Sequence, residues 1–284
     1  MSKLLEGKPI AAKIQQEIKA KIAGFMSVPV LVSIMLGENA GAEAYVRSQK
    51  KVADELGIDY RLHKLPQHTT ERELINFIED YNMHPEVNGI IIQMPLPEHI
   101  DYKKISQFIK PEKDVEGLHP ANIGKIMFGK AVVVPCTAAA VMELLYESGI
   151  DLYGKEVVVV GHSEIVGKPL SLLLLEKFST VTVCHIGTSK AGRLAEHTSK
   201  AEVLIVAVGK PNLIKGQDIK EHAVVIDVGI NRVEGKIVGD VEFEEAAKKA
   251  SFITPVPGGV GPLTVTMLMR NLVNAKISQD NAVL

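Results

Sequence analysis

The chain has 284 residues, of which 46% are apolar, 23% charged and 5% aromatic, a balance that suits one large or two ordinary globular domains and excludes disordered and fibrous classes. With 32 Lys+Arg against 34 Asp+Glu the formal charge is −2. No global basic field exists to hold nucleic acid or an anionic membrane, so small molecules are the expected partners. Cys136 and Cys184 stand far apart, in neither CxxC nor zinc spacing, which points to a reducing cytoplasm and to no metal site. The first twenty residues match neither a signal nor a transit peptide. The longest mainly apolar stretch, 131–145, is interrupted by Pro135-Cys136-Thr137 and is too short for a bilayer.

Helical and strand patterns alternate along the chain, the mark of an α/β fold with mostly parallel strands. A helix is predicted from about Ile10 to Ala23, then an apolar strand Val28 to Leu36, a helix Ala42 to Leu56, a strand Tyr60 to Leu65 and a helix Glu71 to Tyr81. Gly89-Ile90-Ile91-Ile92-Gln93 reads as a buried parallel strand, ended by Pro95 and Pro97. Its C-terminal end is a natural ligand site.

Beyond a helix predicted over Ala138 to Ser148, four β-branched runs end at Val160, Cys184, Val206 and Asp227 with a spacing of roughly 20 residues, as in a nucleotide-binding βαβ series. A boundary near residue 137 follows, giving domains 1–137 and 138–262. An amphipathic helix after Pro262 runs to about Ala275, and residues 263–284 are expected to return to the first domain.

The strand ending at Val160 runs through Gly161-His162-Ser163-Glu164-Ile165-Val166-Gly167 into a Leu-rich helix. Backbone N–H groups and a helix N-terminus at such a turn favour a pyrophosphate, and the two glycines permit close approach. Ser163 stands where GxGxxG has its middle glycine, so an ordinary strand-to-helix turn capped by Ser163 is the competing reading. At the end of the next strand, Cys184-His185-Ile186 contains no acid for the ribose of NAD. His162, Lys190 and Arg193 are basic candidates for the 2′-phosphate of NADP, or Lys190 and Arg193 are solvated helix charges.

Ile253 to Pro262 packs three glycines and three prolines into ten residues, combining rigid turns with bare backbone. Tyr45 and Gln49 share one helix face. By themselves Tyr45 reads as a core or rim residue, Gln93 as a strand-end amide, and Lys113 to Gly117 as a polar turn.

Eight segments together resemble the methylenetetrahydrofolate dehydrogenase/methenyltetrahydrofolate cyclohydrolase family: Ala44-Tyr45-Val46, GIIIQMPLP from Gly89, PEKDVEG from Pro111, Pro135-Cys136-Thr137, VVGHSEIVGKP from Val159, DVGIN from Asp227, Val238 to Val241, and ITPVPGGVGP from Ile253. The resemblance implies an N-terminal α/β folate-binding domain, a Rossmann-like domain taking NADP (or NAD), a folate cleft between them, and a homodimer formed through the cofactor domain. It implies catalytic roles for Tyr45, Gln49 and Gln93. Folate contacts would come from Tyr45, Gln93, Glu116, Pro257, Gly258, Gly259 and Pro262. Gly161, His162, Ser163, Val166, Gly167, His185, Ile230 and Thr264 would contact the cofactor. A noncatalytic folate or nucleotide binder and a dehydrogenase-only enzyme are the rival readings.

Departures from the family pattern carry their own expectations. Gln49 replaces the lysine that serves cyclohydrolase chemistry, and an amide cannot exchange a proton near neutral pH, so that step is expected to be weak. Glu116 replaces the aspartate that anchors the pterin. Ala42 replaces a serine, and His162 an arginine. Lys50 is rotated about 100° from Gln49 on an ideal helix, so only a helix irregularity or a one-residue slip would bring it to the site.

Overall fold

The computed structural model describes residues 2–282. The chain divides into two compact units, Lys13–Cys136 with Val265–Leu284, and Met1–Ala12 with Thr137–Thr264. In this division the first dozen residues go with the second unit, whereas the sequence pattern put all of 1–137 in one domain. The cause is a strand of two residues, Lys3–Leu4, paired in parallel with Phe252–Ile253, too short to show in any hydrophobic period.

In the first unit a three-stranded parallel sheet has the order Asp59–Leu65, Val30–Leu36, Gly89–Ile92. The central strand is buried along its whole length, which explains its continuous apolar run. Alternation sends Val30, Val32, Ile34 and Leu36 to one face, where they pack with Leu74 and Ile78 of the helix Glu71–Met83. Leu31, Ser33 and Met35 point to the other face. The helix Ala40–Leu56 begins at Asn39, whose side chain accepts from the N–H groups of Gly41 and Ala42, and ends at Gly57 in the left-handed conformation, so both ends are set by local chemistry. Thr70 and Glu73 form a capping box for Glu71–Met83.

The second unit carries a six-stranded parallel sheet in the order Lys3–Leu4, Phe252–Ile253, Val224–Asp227, Val203–Val206, Glu156–Val160, Thr180–Cys184. Strand Glu156–Val160 has its sequence successor on one side and Val203–Val206 on the other. The strand order reverses there, and the C-terminal ends of Glu156–Val160 and Val203–Val206 form the crevice where α/β sheets bind ligands. An antiparallel hairpin, Asn231–Val233 with Lys236–Val238, was not anticipated. Its signal was Glu234-Gly235, both at positive φ of 49° and 79°, the requirement of a two-residue hairpin turn.

The last helix, Val260–Ala282, starts inside the glycine-proline loop and outruns the predicted end at Ala275. Pro262 is tolerated because it occupies the first turn, where N–H groups have no intrahelical partner. Among the described residues no helix is long and apolar enough to cross a membrane.

Candidate active site

Within the first unit the helix Ala40–Leu56 brings Gln49 against the sheet face that carries Ser33. Gln49 Oε1 accepts from the Tyr60 hydroxyl at 2.8 Å and from Gln93 Nε2 at 2.8 Å. Gln93 Nε2 also donates to Ser33 Oγ at 3.0 Å, and Gln49 Nε2 lies 3.4 Å from Gln93 Oε1. Ser33 and Gln49 are 0% exposed, Gln93 2% and Tyr60 9%, so the cluster is a buried neutral network whose members satisfy one another. Tyr45, one turn before Gln49, is half-buried. Burial raises its phenol well above the ordinary range, Cys136 and Glu116 add to the rise, and a hydrogen bond from Gln49 opposes it. Lys50 is turned away on a regular helix and pairs with Asp54 at 2.8 Å, both exposed. No helix irregularity redirects it toward Gln93.

Lys113 to Gly117 is not a solvated turn. Lys113 is buried and its ammonium donates to the carbonyls of Tyr81, Asn82 and His84 at the end of the helix Glu71–Met83. Asp114 is buried and accepts from the backbone of Gly117 and His119 and from Asn122 Nδ2. From the C-terminal helix, Asn271 donates to the Val115 carbonyl at 2.9 Å. These bonds fix the backbone on both sides of Glu116, whose carboxylate oxygen accepts from the Tyr102 hydroxyl at 3.2 Å. Burial and then the nearby Asp114 push the Glu116 carboxyl up to about 8, against the opposing Tyr102 bond.

In the second unit Gly161 follows the strand at the reversal point with φ of 128°. A Cβ there would lie 2.4 Å from the Ala207 carbonyl oxygen, and one at Gly167 would lie 2.1 Å from the Gly161 carbonyl oxygen. Only glycine fits either place, and the cradle so formed suits a pyrophosphate at the N-terminus of the helix Gly167–Leu175. Ser163 does not cap that helix. The cap position is Val166, which offers no side-chain bond, while Ser163 Oγ accepts the Val166 N–H at 3.1 Å. His162 and His185 stack edge to face with ring centroids 5.1 Å apart. His185 Nδ1 accepts the Gly187 N–H, capping the turn Ile186–Lys190. Arg193 pairs with Glu196 on the helix surface, which supports reading it as a solvated charge.

Two buried aspartates shape the neighbouring loops. Asp240 accepts from the backbone N–H groups of Val208, Gly209 and Lys210 and from Asn231 Nδ2. Asp227 accepts from the N–H groups of Gly229, Asp240 and Val241, and burial pushes its carboxyl up to about 6. Ile230, on the loop between them, is exposed. Pro257, Gly258, Gly259 and Pro262 belong to this second unit with Thr264. The Gly258 carbonyl accepts from Gly7, and Thr264 Oγ1 donates to the Val260 carbonyl. The structure thus gathers Tyr45, Gln49, Gln93 and Glu116 in one unit, and the glycine-proline loop with the dinucleotide turn in the other.

Sequence reasoning missed Ser33, Tyr60, Tyr102 and Asp240 as side chains that organise these places. Ser33 left a trace, as the one polar residue in the run VLVSIML. Asp240 lies in the segment Val238 to Val241 that carried part of the resemblance, but its role as an anchor was not read there; Tyr60 and Tyr102 left no trace, because their partners are distant in sequence.

Comparisons with known proteins agree over both units. Residues 5–116 match the catalytic domain of tetrahydrofolate dehydrogenase/cyclohydrolase, and residues 135–280 match its NAD(P)-binding domain. A Bacillus velezensis protein named bifunctional protein FolD is 47% identical over 96% of both chains. An Acetivibrio thermocellus protein of the same name is 50% identical, again over 96% of each. The crystal structure of the bifunctional FolD methylenetetrahydrofolate dehydrogenase/cyclohydrolase from Campylobacter jejuni superposes with a TM-score of 0.93 at 44% identity, covering 98% of this chain and 100% of that one. The Trypanosoma brucei enzyme, solved with NADP and an inhibitor, gives 0.92 at 37% identity, covering 99% of this chain and 98% of that one. With both units matched in order and nearly half of all positions identical to full-length relatives, this chain belongs to the tetrahydrofolate dehydrogenase/cyclohydrolase family.

Proposed function

We propose that this protein oxidises 5,10-methylenetetrahydrofolate to 5,10-methenyltetrahydrofolate with NADP, and that its hydrolysis of the product to 10-formyltetrahydrofolate is weakened by Gln49. The observation that carries this reading is the buried, uncharged Ser33–Gln49–Tyr60–Gln93 cluster beside Tyr45, in a chain of this family that also keeps the glycine cradle at Gly161 and Gly167.

Bound NADP supplies the hydride acceptor. Loss of hydride leaves a cation on the bridging carbon that the folate nitrogens stabilise, so the protein is asked mainly for position. Tyr45 walls the pterin and bridging carbon, Gln93 and Gln49 supply neutral hydrogen bonds near the reacting centre, and Glu116 accepts from the pterin N–H groups. The second reaction differs, because water must attack and protons must move as the ring opens. A positioned acid or base is typically worth ~10²- to 10⁴-fold in such a step, and the buried carboxamide of Gln49 supplies none.

On the cofactor side, Gly161, His162, Ser163, Val166, Gly167, His185, Ile230 and Thr264 line the NADP site, and Pro257, Gly258, Gly259 and Pro262 line both ligands. The residues fit: the cradle that a Cβ would fill lies where the sheet reverses, and the adjoining strand end carries imidazoles and no acid. NADP in the Trypanosoma brucei relative supports the same choice. The protein works as a cytoplasmic homodimer.

Methylenetetrahydrofolate with NADP, and separately with NAD, in a spectrophotometric assay tests the proposal. Methenyltetrahydrofolate should accumulate with NADP and decay at a rate close to its uncatalysed hydrolysis. Absence of turnover with either cofactor overturns the assignment.

A further inference from the structure

The lysine position of this family is filled here by a side chain that can face two ways. A carboxamide presents oxygen along one edge and two N–H donors along the other, and 180° rotation exchanges them. In this protein both lone pairs of Gln49 Oε1 are engaged, by the Tyr60 hydroxyl at 2.8 Å and by Gln93 Nε2 at 2.8 Å. Gln93 is itself oriented by its bond to Ser33 Oγ. The four side chains form one hydrogen-bonded chain, Tyr60 to Gln49 to Gln93 to Ser33, that links two neighbouring strands, one helix and the end of a third strand. Rotating the Gln49 amide would aim its N–H groups at the N–H groups of Gln93, and would leave the Tyr60 proton without its acceptor. The bonds from Tyr60 and Gln93 therefore hold Oε1 in place against rotation of the Gln49 amide by itself, with Nε2 3.4 Å from Gln93 Oε1.

We propose that Tyr60 is a positioning residue of the active site: its hydroxyl fixes the facing of the Gln49 carboxamide, one helical turn from Tyr45. Tyr60 does not touch substrate in this scheme. Its ring is held by strand register, Tyr60 opposite Leu31 on the face that also carries Ser33, so the hydroxyl arrives at Gln49 Oε1 from a rigid element. The inference rests on the folate reading for the effect on turnover, and on the hydrogen bonds alone for the lock.

Tyr60→Phe removes the hydroxyl and keeps the ring. One neutral hydrogen bond corresponds to roughly a 3- to 10-fold change in an equilibrium, so kcat for dehydrogenation should fall by about that factor, with KM changed less than about twofold. In a Gln49→Met background the same substitution should have no further effect, because no amide remains to orient. A purely structural role for Tyr60 would lower activity equally in both backgrounds. Ser33→Ala, which removes the acceptor that orients Gln93 against Gln49, should show the same dependence on Gln49 and provides the second variant should Tyr60→Phe fold poorly.

Independently of turnover, the Gln49 side-chain NH2 resonances, assigned by their loss in Gln49→Met, should exchange slowly with solvent in the native protein and faster in Tyr60→Phe. Unchanged kcat and exchange in Tyr60→Phe, or equal losses in both backgrounds, overturn the proposal. A native protein without turnover but with protected Gln49 resonances that Tyr60→Phe releases would sink the folate reading and leave the lock standing.

Discussion

The Tyr102 hydroxyl donates to Glu116 Oε2 at 3.2 Å, and it is the one hydrogen bond that opposes the upward pressure of burial and of Asp114 on that carboxyl. Glu116 holds its proton up to about pH 8 in the folded protein, against 4.5 for an unperturbed glutamate. Between those values the unfolded chain has released a proton that the native one keeps, so native stability falls as pH rises and levels off above about 8. Glu116→Gln should therefore gain stability relative to the parent between pH 5 and pH 8, read as diverging Tm values. Where the anion is needed to accept from the pterin, kcat/KM for methylenetetrahydrofolate should rise through pH 8 in the parent and be flat and lower in Glu116→Gln. A flat profile in the parent would remove Glu116 from folate binding.

Tyr45→Ala removes the wall beside the bridging carbon. Dehydrogenase kcat/KM is expected to drop by about 10²-fold, mostly in kcat, since misplacement by an ångström has that scale. Tyr45→Phe should lose much less. Unchanged kcat/KM in the alanine variant would mean that the phenol takes no part in positioning.

Gln49→Lys restores a titratable nitrogen at a fully buried position. The ammonium would need acceptors: Gln93 Oε1 already faces position 49, 3.4 Å from Gln49 Nε2, whereas the Tyr60 oxygen accepts only after its hydroxyl rotates. We expect cyclohydrolase activity to increase by at least ~10²-fold, dehydrogenase activity to change less, and Tm to fall because the bonds from Tyr60 and Gln93 to Oε1 are lost. The measurement is loss of methenyltetrahydrofolate absorbance, corrected for hydrolysis in buffer. Rapid hydrolysis by the parent protein would show that an ionisable group at position 49 is dispensable.

For cofactor choice, His162 and His185 stand at the strand ends where the family pattern has arginine at position 162, and an imidazole lacks the planar fork of donors with which a guanidinium clamps a phosphate. The NADP to NAD ratio of kcat/KM should therefore be modest. His162→Ala should lower the NADP value severalfold and leave the NAD value nearly unchanged. A strong preference for NAD would exclude a phosphate site here.

Asp240→Asn replaces an anion that receives three backbone N–H groups and one amide by a group whose NH2 opposes some of those donors. The cost should be about 3 kcal/mol. It should appear as a lower Tm and as weaker NADP binding in a fluorescence titration, because the loops at Val208 to Lys210 and at Ile230 lose their common anchor. Normal NADP affinity would confine Asp240 to a role in stability.

Much of the architecture was written in short-range pattern. Runs such as Val157 to Val160 and Ile90 to Ile92 announce buried parallel strands, the roughly 20-residue spacing announces βαβ units, and Gly161 takes a φ that favours glycine. Each of these signals is local, a period of two or 3.6 residues or a φ value, and survives without knowledge of the neighbours. The rotation of Lys50 away from Gln49 followed from the same arithmetic. What the tertiary structure decided is everything that depends on register between distant segments. The pairing of Lys3–Leu4 with Phe252–Ile253 moved the N-terminus to the other unit. The alignment of Ser33, Tyr60 and Gln93 on adjoining strands turned a glutamine in a lysine position into the centre of a buried hydrogen-bonded chain. Burial beside Asp114 turned a polar-looking Glu116 into a carboxyl that stays protonated to about pH 8. Hydrogen bonds and desolvation reach only a few ångströms, so the residues that tune one another here become visible only once the chain has brought them together.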